Sequence, residues 1–250
     1  MTSEVRAAVF RPDDERMREA VELLESLGAT PVPDPMLAVE PTGATPADDG
    51  ATVVVLTSKT GVELAAARSW RPRDGTALAC IGPRTAAAAR EAGWTVDVVP
   101  AEYSSEGLVA ALSDRVAGER VEVARSDHGS PALLDGLRDA GAHVHETVLY
   151  RLVRPEGAGE SVERAARGGL EAALFTSSLT VEHFLDAATE RGVRDAAVAG
   201  LDRAVVGAIG EPTRETAESL GVAVDVVPSE ATFEALATET VEAAASADEE

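Results

Sequence analysis

A single lysine, Lys59, and a single cysteine, Cys80, occur in the 250 residues. One cysteine excludes an intrachain disulfide and suits a reducing cytoplasm. Its apolar surroundings read as core rather than as a nucleophile's site. Aromatic residues make up only 3%, so any packed core must be built mostly from Ala, Val and Leu. No apolar run approaches the roughly 18 residues of a membrane-spanning helix. The opening stretch, MTSEVRAAVF, lacks the basic-then-apolar pattern of a secretory signal. These readings predict a cytoplasmic protein with no membrane association. Positive charge is scarce as well: 44 acidic residues face 22 basic ones, for a net charge of −22. Such a chain repels nucleic acid. Acidic excess with almost no lysine is the composition of proteins that work in molar salt, where screening relieves self-repulsion and carboxylates keep the surface hydrated. A GC-rich genome would explain the shortage of lysine but not the charge.

What the sequence does contain is a repeat. Residues 81–108, starting IGPRTAAAAREAGWTVDVVP, align without gaps to residues 209–236, starting IGEPTRETAESLGVAVDVVP, and 13 of the 28 positions are identical. Upstream, LTSKTGVE (56–63) matches FTSSLTVE (175–182). A third match is out of order. The stretch VARSDHGSPALLDGLRDAGA, ending at Ala142, resembles VFRPDDERMREAVELLESLGA, ending at Ala29, with Arg125 facing Arg11. Fixed-period self-similarity marks a duplicated structural unit.

Short apolar runs alternate with Ala- and Glu-rich helical runs, the pattern of a parallel α/β sheet. Expected strands are RAAVF, TVVVL, ALACI, TVDVV, RVEVA, AALF, AVVGAI and AVDVV. Continuous apolarity implies helices on both faces. The permuted match then predicts two similar, flavodoxin-like domains, the second inserted into the first. Residues 1–33 and 156–250 form domain one and 41–145 form domain two. Residues 34–40 and 146–155 are two crossings, expected as a two-stranded hinge.

Chemistry should gather where strands run into helices, because free backbone N–H groups and the helix dipole favour anions there. In open α/β sheets ligands bind at the carboxyl ends of strands. Thr57-Ser58 and Thr176-Ser177 mark one such turn in each copy, and Gly82 with Thr85 and Gly210 with Thr213 mark another. Ser104 opens a further helix, and Arg11 and Arg125 follow strands. Any single Ser or Thr here could be a helix cap and nothing more. Recurrence of four such turns at equivalent places predicts an anion site, lining one cleft if the domains face each other. No phosphate-binding GxxxxGK[ST] or GxGxxG motif occurs, and the four histidines do not form a metal-ligand pattern. Tyr150, one of two tyrosines, lies in the second crossing. By position it is either a hinge-packing residue or a phenol at the mouth of the cleft.

In their order, LTSKTGVE, IGPRTA, TVLYRL, FTSSLTVE, IGEPT and ATFEAL resemble the uroporphyrinogen-III synthase family over nearly the whole chain. The resemblance implies cyclisation of hydroxymethylbilane, a linear tetrapyrrole, with inversion of ring D. It implies no metal and no organic cofactor. It also implies Tyr150 as the catalytic residue, with Arg11, Thr57, Ser58, Gly82, Thr85, Ser104, Arg125, Thr176, Ser177, Gly210 and Thr213 holding substrate carboxylates. A monomer handed its substrate by the preceding deaminase is the expected setting. A non-catalytic anion-binding or regulatory protein of the same fold is the alternative.

Overall fold

A computed structural model describes residues 4–47 and 50–247. In chain order its elements are β1 (Arg6–Phe10), α1 (Glu15–Ser26), β2 (Thr30–Pro33), β3 (Ala38–Pro41), β4 (Val53–Leu56), α2 (Lys59–Ala67), β5 (Ala77–Cys80), α3 (Pro83–Glu91), α4 (Ser105–Val116), β6 (Arg120–Ser126), α5 (Pro131–Asp139), β7 (His143–Val153), α6 (Glu160–Ala166), β8 (Ala172–Phe175), α7 (Ser178–Glu190), α8 (Arg194–Leu201), β9 (Val205–Ala208), α9 (Glu211–Ser219) and α10 (Phe233–Ala247). Contacts divide the chain into two compact units, Met1–Ala38 with Val153–Glu250, and Val39–Leu152.

The first unit is built on a sheet of order β2-β1-β8-β9. Its three ladders are parallel, with Ala7 beside both Pro31 and Ala172, and Ala172 beside Val205. The N-terminal strand therefore joins the AALF and VVGA strands, where the out-of-order match puts it. Successive side chains of a strand point to opposite faces. Accordingly Ala8, Phe10, Ala173 and Phe175 pack with α6, α7 and α8, while Ala7, Val9, Ala172 and Leu174 pack with α1 and α10. Phe10 stacks on Phe175 with centroids 4.6 Å apart, and Phe184 meets both edge-on. Gly207 in β9 is required by close packing, since a Cβ there would lie 2.3 Å from Thr240 Oγ1 of α10. At the outer edge, β2 is the short run TPVP, and Thr30 N and Asp34 N donate to Val5 O and Val9 O.

The second unit holds a sheet of order β3-β7-β6-β4-β5. Val54, Leu56, Leu78 and Cys80 face α2 and α3, whereas Val53, Val55, Val121 and Val123 face α4 and α5. Burial raises the Cys80 thiol pKa to about 11, which suits a core residue. Trp70 and Trp94 meet edge-to-face at 5.1 Å over the same cluster. The two segments expected as crossings are partly strand: β3 is the neighbour of β7, and β7 is 11 residues long and pairs with β6 from His143 to Tyr150.

Much of the repeat's identity has a structural cause. Asp97 Oδ2 accepts from Leu78 N and Asp225 Oδ2 from Val206 N, both at 2.8 Å. Val98 and Val226 then make single bridges to Ala79 and Gly207. TVDVV and AVDVV are thus edge segments tied by one bridge each, not full strands. No helix among the described residues is long and apolar enough to cross a membrane.

Candidate functional site

Parallel pairing brings the carboxyl ends of β4, β5 and β6 to one edge of the second unit's sheet. Thr57 and Ser58 follow β4, and Ser58 is the N-cap of α2, accepting from Gly61 N at 3.0 Å. Gly82 follows β5 and caps α3 without a side chain, with Pro83 at the first helical position. Thr85 is the third residue of that helix, buried at 4% exposure. Ser104 caps α4 and accepts from Gly107 N at 3.0 Å. Three helix N-termini therefore open near one another, each presenting unpaired N–H groups and a partial positive charge.

Tyr150 reaches this edge through an irregularity. The β6–β7 register pairs Arg125 with Val148 but Ser126 with Tyr150, so one extra residue is accommodated on β7. Such a bulge breaks the alternation of side chains and re-aims the residue beside it. Its consequence is visible in the core: the consecutive residues Leu149 and Tyr150 both enter the cluster under α2 and α3. Tyr150 is 6% exposed, and its hydroxyl donates to Ser58 Oγ at 3.0 Å. Asp127 fixes the neighbouring chain, its N–H donating to Tyr150 O and its carboxylate accepting from Leu152 N. The Asp127 carboxyl is held below the usual range: burial pushes it up, but bonds from His128 and Leu152 outweigh that.

Arg125 is buried in β6. Its Nε donates to Glu146 Oε1 at 2.6 Å and its Nη1 to Ser130 O. Its charge is already matched within the unit. Arg11, its counterpart in the repeat, is placed differently. Its guanidinium carbon lies 4.5 Å from the Phe233 ring centre, and Nη1 reaches Arg16 O at 3.4 Å. Among the described residues no carboxylate lies within ion-pair distance of it. Burial and then Arg16's charge push its pKa down, though an arginine remains a cation.

The first unit repeats the edge. Thr176 Oγ1 donates to Phe10 O at 2.8 Å, tying the end of β8 to that of β1 beside Arg11. Ser177 caps α7 in a reciprocal capping box with Thr180. Gly210 caps α9 without a side chain, and Thr213 is its buried third residue at 4% exposure. Thr85 and Thr213 are buried as residues, while Thr57, Ser58, Ser104, Thr176 and Ser177 are only partly covered.

One residue absent from the sequence-derived set stands out. Tyr103 is 64% exposed, directly precedes the Ser104 cap, and would contact a Cβ on Gly82 at 3.4 Å. It replaces Ala231 of the other copy, and it is the second of only two tyrosines. Among the described residues no group of three or more His, Cys, Asp and Glu could hold a metal ion.

Comparison with known proteins gives a consistent picture. The family model described as uroporphyrinogen-III synthase HemD matches residues 18–238. A protein of Methanothermobacter thermautotrophicus, provisionally named a uroporphyrinogen-III synthase, is 35% identical over 230 residues, covering 86% of this chain and 89% of its own. The uroporphyrinogen-III synthase of Synechococcus elongatus is 28% identical over 230 residues, 85% of this chain and 86% of its own. A crystal structure of a mutant uroporphyrinogen III synthase from Thermus thermophilus shares the fold at TM-score 0.63 and 20% identity, covering 96% of this chain and 98% of that one. The Helicobacter pylori uroporphyrinogen-III synthetase does so at 0.61 and 11%, covering 96% and 100%.

Proposed function

Because the chain belongs to the uroporphyrinogen-III synthase family, we propose that it converts hydroxymethylbilane to uroporphyrinogen III, with Tyr150 supplying the proton that starts the reaction. The terminal hydroxyl of the bilane leaves as water when its C–O bond breaks, and the pyrrole nitrogen lone pair forms an azafulvene. That electrophile is attacked by the substituted carbon of ring D. The spirocyclic pyrrolenine then opens and recloses with ring D inverted, and loss of a ring proton restores the aromatic system.

Every ring of the substrate carries carboxylate side chains. The open helix N-termini at Ser58, Gly82, Ser104, Ser177 and Gly210 suit them, and Arg11 adds a cation with no carboxylate partner among the described residues. Thr57, Thr85 and Thr213 lie in the same turns and are proposed to add donors to the carboxylates, while Thr176 and Arg125 are already bonded within the protein, to Phe10 O and to Glu146 and Ser130 O. The task is largely one of orientation, presenting the substituted carbon of ring D rather than the free one.

The observation that carries the reading is the bulge that turns Tyr150 onto Ser58 at the strand-end edge. A tyrosine hydroxyl can both donate and accept a hydrogen bond, which suits it to hand a proton toward a departing oxygen. The test is an isomer assay on hydroxymethylbilane. Wild-type protein should give isomer III, and Tyr150→Phe should fold yet lose roughly 100-fold in rate, the low end for general-acid catalysis, with isomer I accumulating by spontaneous closure. Wild-type protein that yields only isomer I would instead favour the non-catalytic alternative.

We also infer a monomeric cytoplasmic enzyme adapted to high salt, from a halophilic archaeal source, that receives its substrate from the preceding deaminase. The charge of −22 and the single buried cysteine support this. So does the scarcity of exposed large apolar residues, which among the described residues are Val39, Val99 and Tyr103.

A further inference from the structure

Tyr150 and Ser58 share one hydrogen bond but differ in how open they are. Tyr150 is 6% exposed, whereas Ser58 is half-buried at the start of α2. A serine oxygen has two acceptor positions and one hydrogen to donate. Ser58 Oγ accepts from Gly61 N–H at 3.0 Å and lies 3.0 Å from the Tyr150 hydroxyl oxygen, a pair along which a proton can pass. Of the two hydroxyls, serine's belongs to the more open residue, so a substrate meets Ser58 with the buried phenol standing behind it.

Resting on the activity argued above, we infer that Ser58 is the group that touches the departing hydroxyl of the bilane, and that Tyr150 is a positioning residue acting through it. The Ser58 Oγ–H proton passes to the substrate oxygen, the C–O bond breaks, and its electron pair leaves with water. In the same motion the Tyr150 proton moves to Ser58 Oγ. The negative charge comes to rest on a phenol oxygen, not on an aliphatic alkoxide. It also lies beside the N-terminus of α2, where the helix dipole favours it. When the product's ring carbon loses its proton after closure, that proton returns through Ser58 to Tyr150. The cycle balances with water as the sole by-product.

The two roles of Ser58, cap and donor, are separable by substitution. Glycine is nearly as good an N-cap as serine and has no hydroxyl, while threonine keeps both functions. The experiment measures kcat, KM and isomer ratio on hydroxymethylbilane for wild type, Ser58→Gly, Ser58→Thr, Tyr150→Phe and the Ser58→Gly/Tyr150→Phe double variant, with melting curves for each. Wild type is read first, since failure to form isomer III there removes the underlying activity and not this inference alone. Given that activity, the relay predicts a kcat loss of roughly 100-fold for Ser58→Gly, an equal loss for Tyr150→Phe, and a double variant no worse than either. Ser58→Thr should recover most of the loss. A Ser58→Gly enzyme with wild-type kcat, one altered only in KM, or losses that multiply in the double variant would each overturn the relay and leave Tyr150 as the direct donor.

Discussion

Arg125 Nε lies 2.6 Å from Glu146 Oε1, and the arginine is almost wholly buried while the glutamate side chain is about one-third exposed at 32%. The partners are therefore not equivalent. Removing the arginine leaves a carboxylate that water can reach, whereas removing the glutamate strands a cation inside β6. Breaking a fully buried pair costs about 3–5 kcal/mol. With solvent reaching Glu146, we expect about 2–3 kcal/mol for Glu146→Ala and clearly less for Arg125→Met. Chemical denaturation of the two variants checks the order, and equal losses would contradict it.

Asp97 and Asp225 give a second, paired prediction. Each carboxylate satisfies the N–H of a strand residue, Leu78 or Val206, whose side chain is in the core. An unsatisfied buried donor costs about 1–3 kcal/mol. Asp97→Ala and Asp225→Ala should each lower stability by that amount, and by similar amounts, in urea titrations. A loss confined to one of them would show that the repeat does not preserve this role.

These aspartates also mark how far the fold was legible. The duplicated TVDVV and AVDVV read as strands because their alternation is that of a strand. Period alone does not reveal that the aspartate side chain takes over a ladder position and leaves one bridge. β2 escaped notice because Pro31 and Pro33 argue against a strand, although an edge strand tolerates them. The helix caps Ser58, Ser104 and Ser177 were legible from local chemistry. The bulge at Tyr150 was not, because it arises from β6–β7 pairing across more than 20 residues and leaves no mark in composition. Nor was the pairing of Arg125 with Glu146, since the repeat matches Arg125 to an arginine whose surroundings differ.

Acid should loosen the first unit through Arg6 and Glu171, which join the start of β1 to the residue before β8. Glu171 accepts from Arg6 N at 2.8 Å and Nε at 2.9 Å, and those bonds hold its carboxyl below the usual glutamate range. A depressed carboxylate stabilises fully above its unfolded pKa, about 4.3, and that contribution fades as pH falls through the folded value. Melting temperature should therefore drop below about pH 4.3 in wild type, and Glu171→Gln should be less stable at pH 7 with a flatter acid limb. An unchanged acid limb in that variant would assign the drop to other carboxylates.

Salt should act in the opposite sense to its effect on a surface held by ion pairs. With 44 acidic residues against 22 basic ones, screening removes more repulsion than attraction. Melting temperature should rise between 0.1 and 2 M KCl. A flat or falling curve would refute adaptation to high salt.

The edge strand β2 carries a consequence for solubility. Thr30 and Asp34 send their N–H groups inward to β1. By the alternation of a strand, residues 31 and 33 would send theirs outward, and both are proline. The open side of the sheet thus offers carbonyls but lacks two of the donors an incoming strand would need. Another chain cannot extend the sheet there by ordinary pairing, which guards this face against strand addition and fibril growth. In molar salt, where charge no longer keeps molecules apart, such a steric and covalent block continues to work.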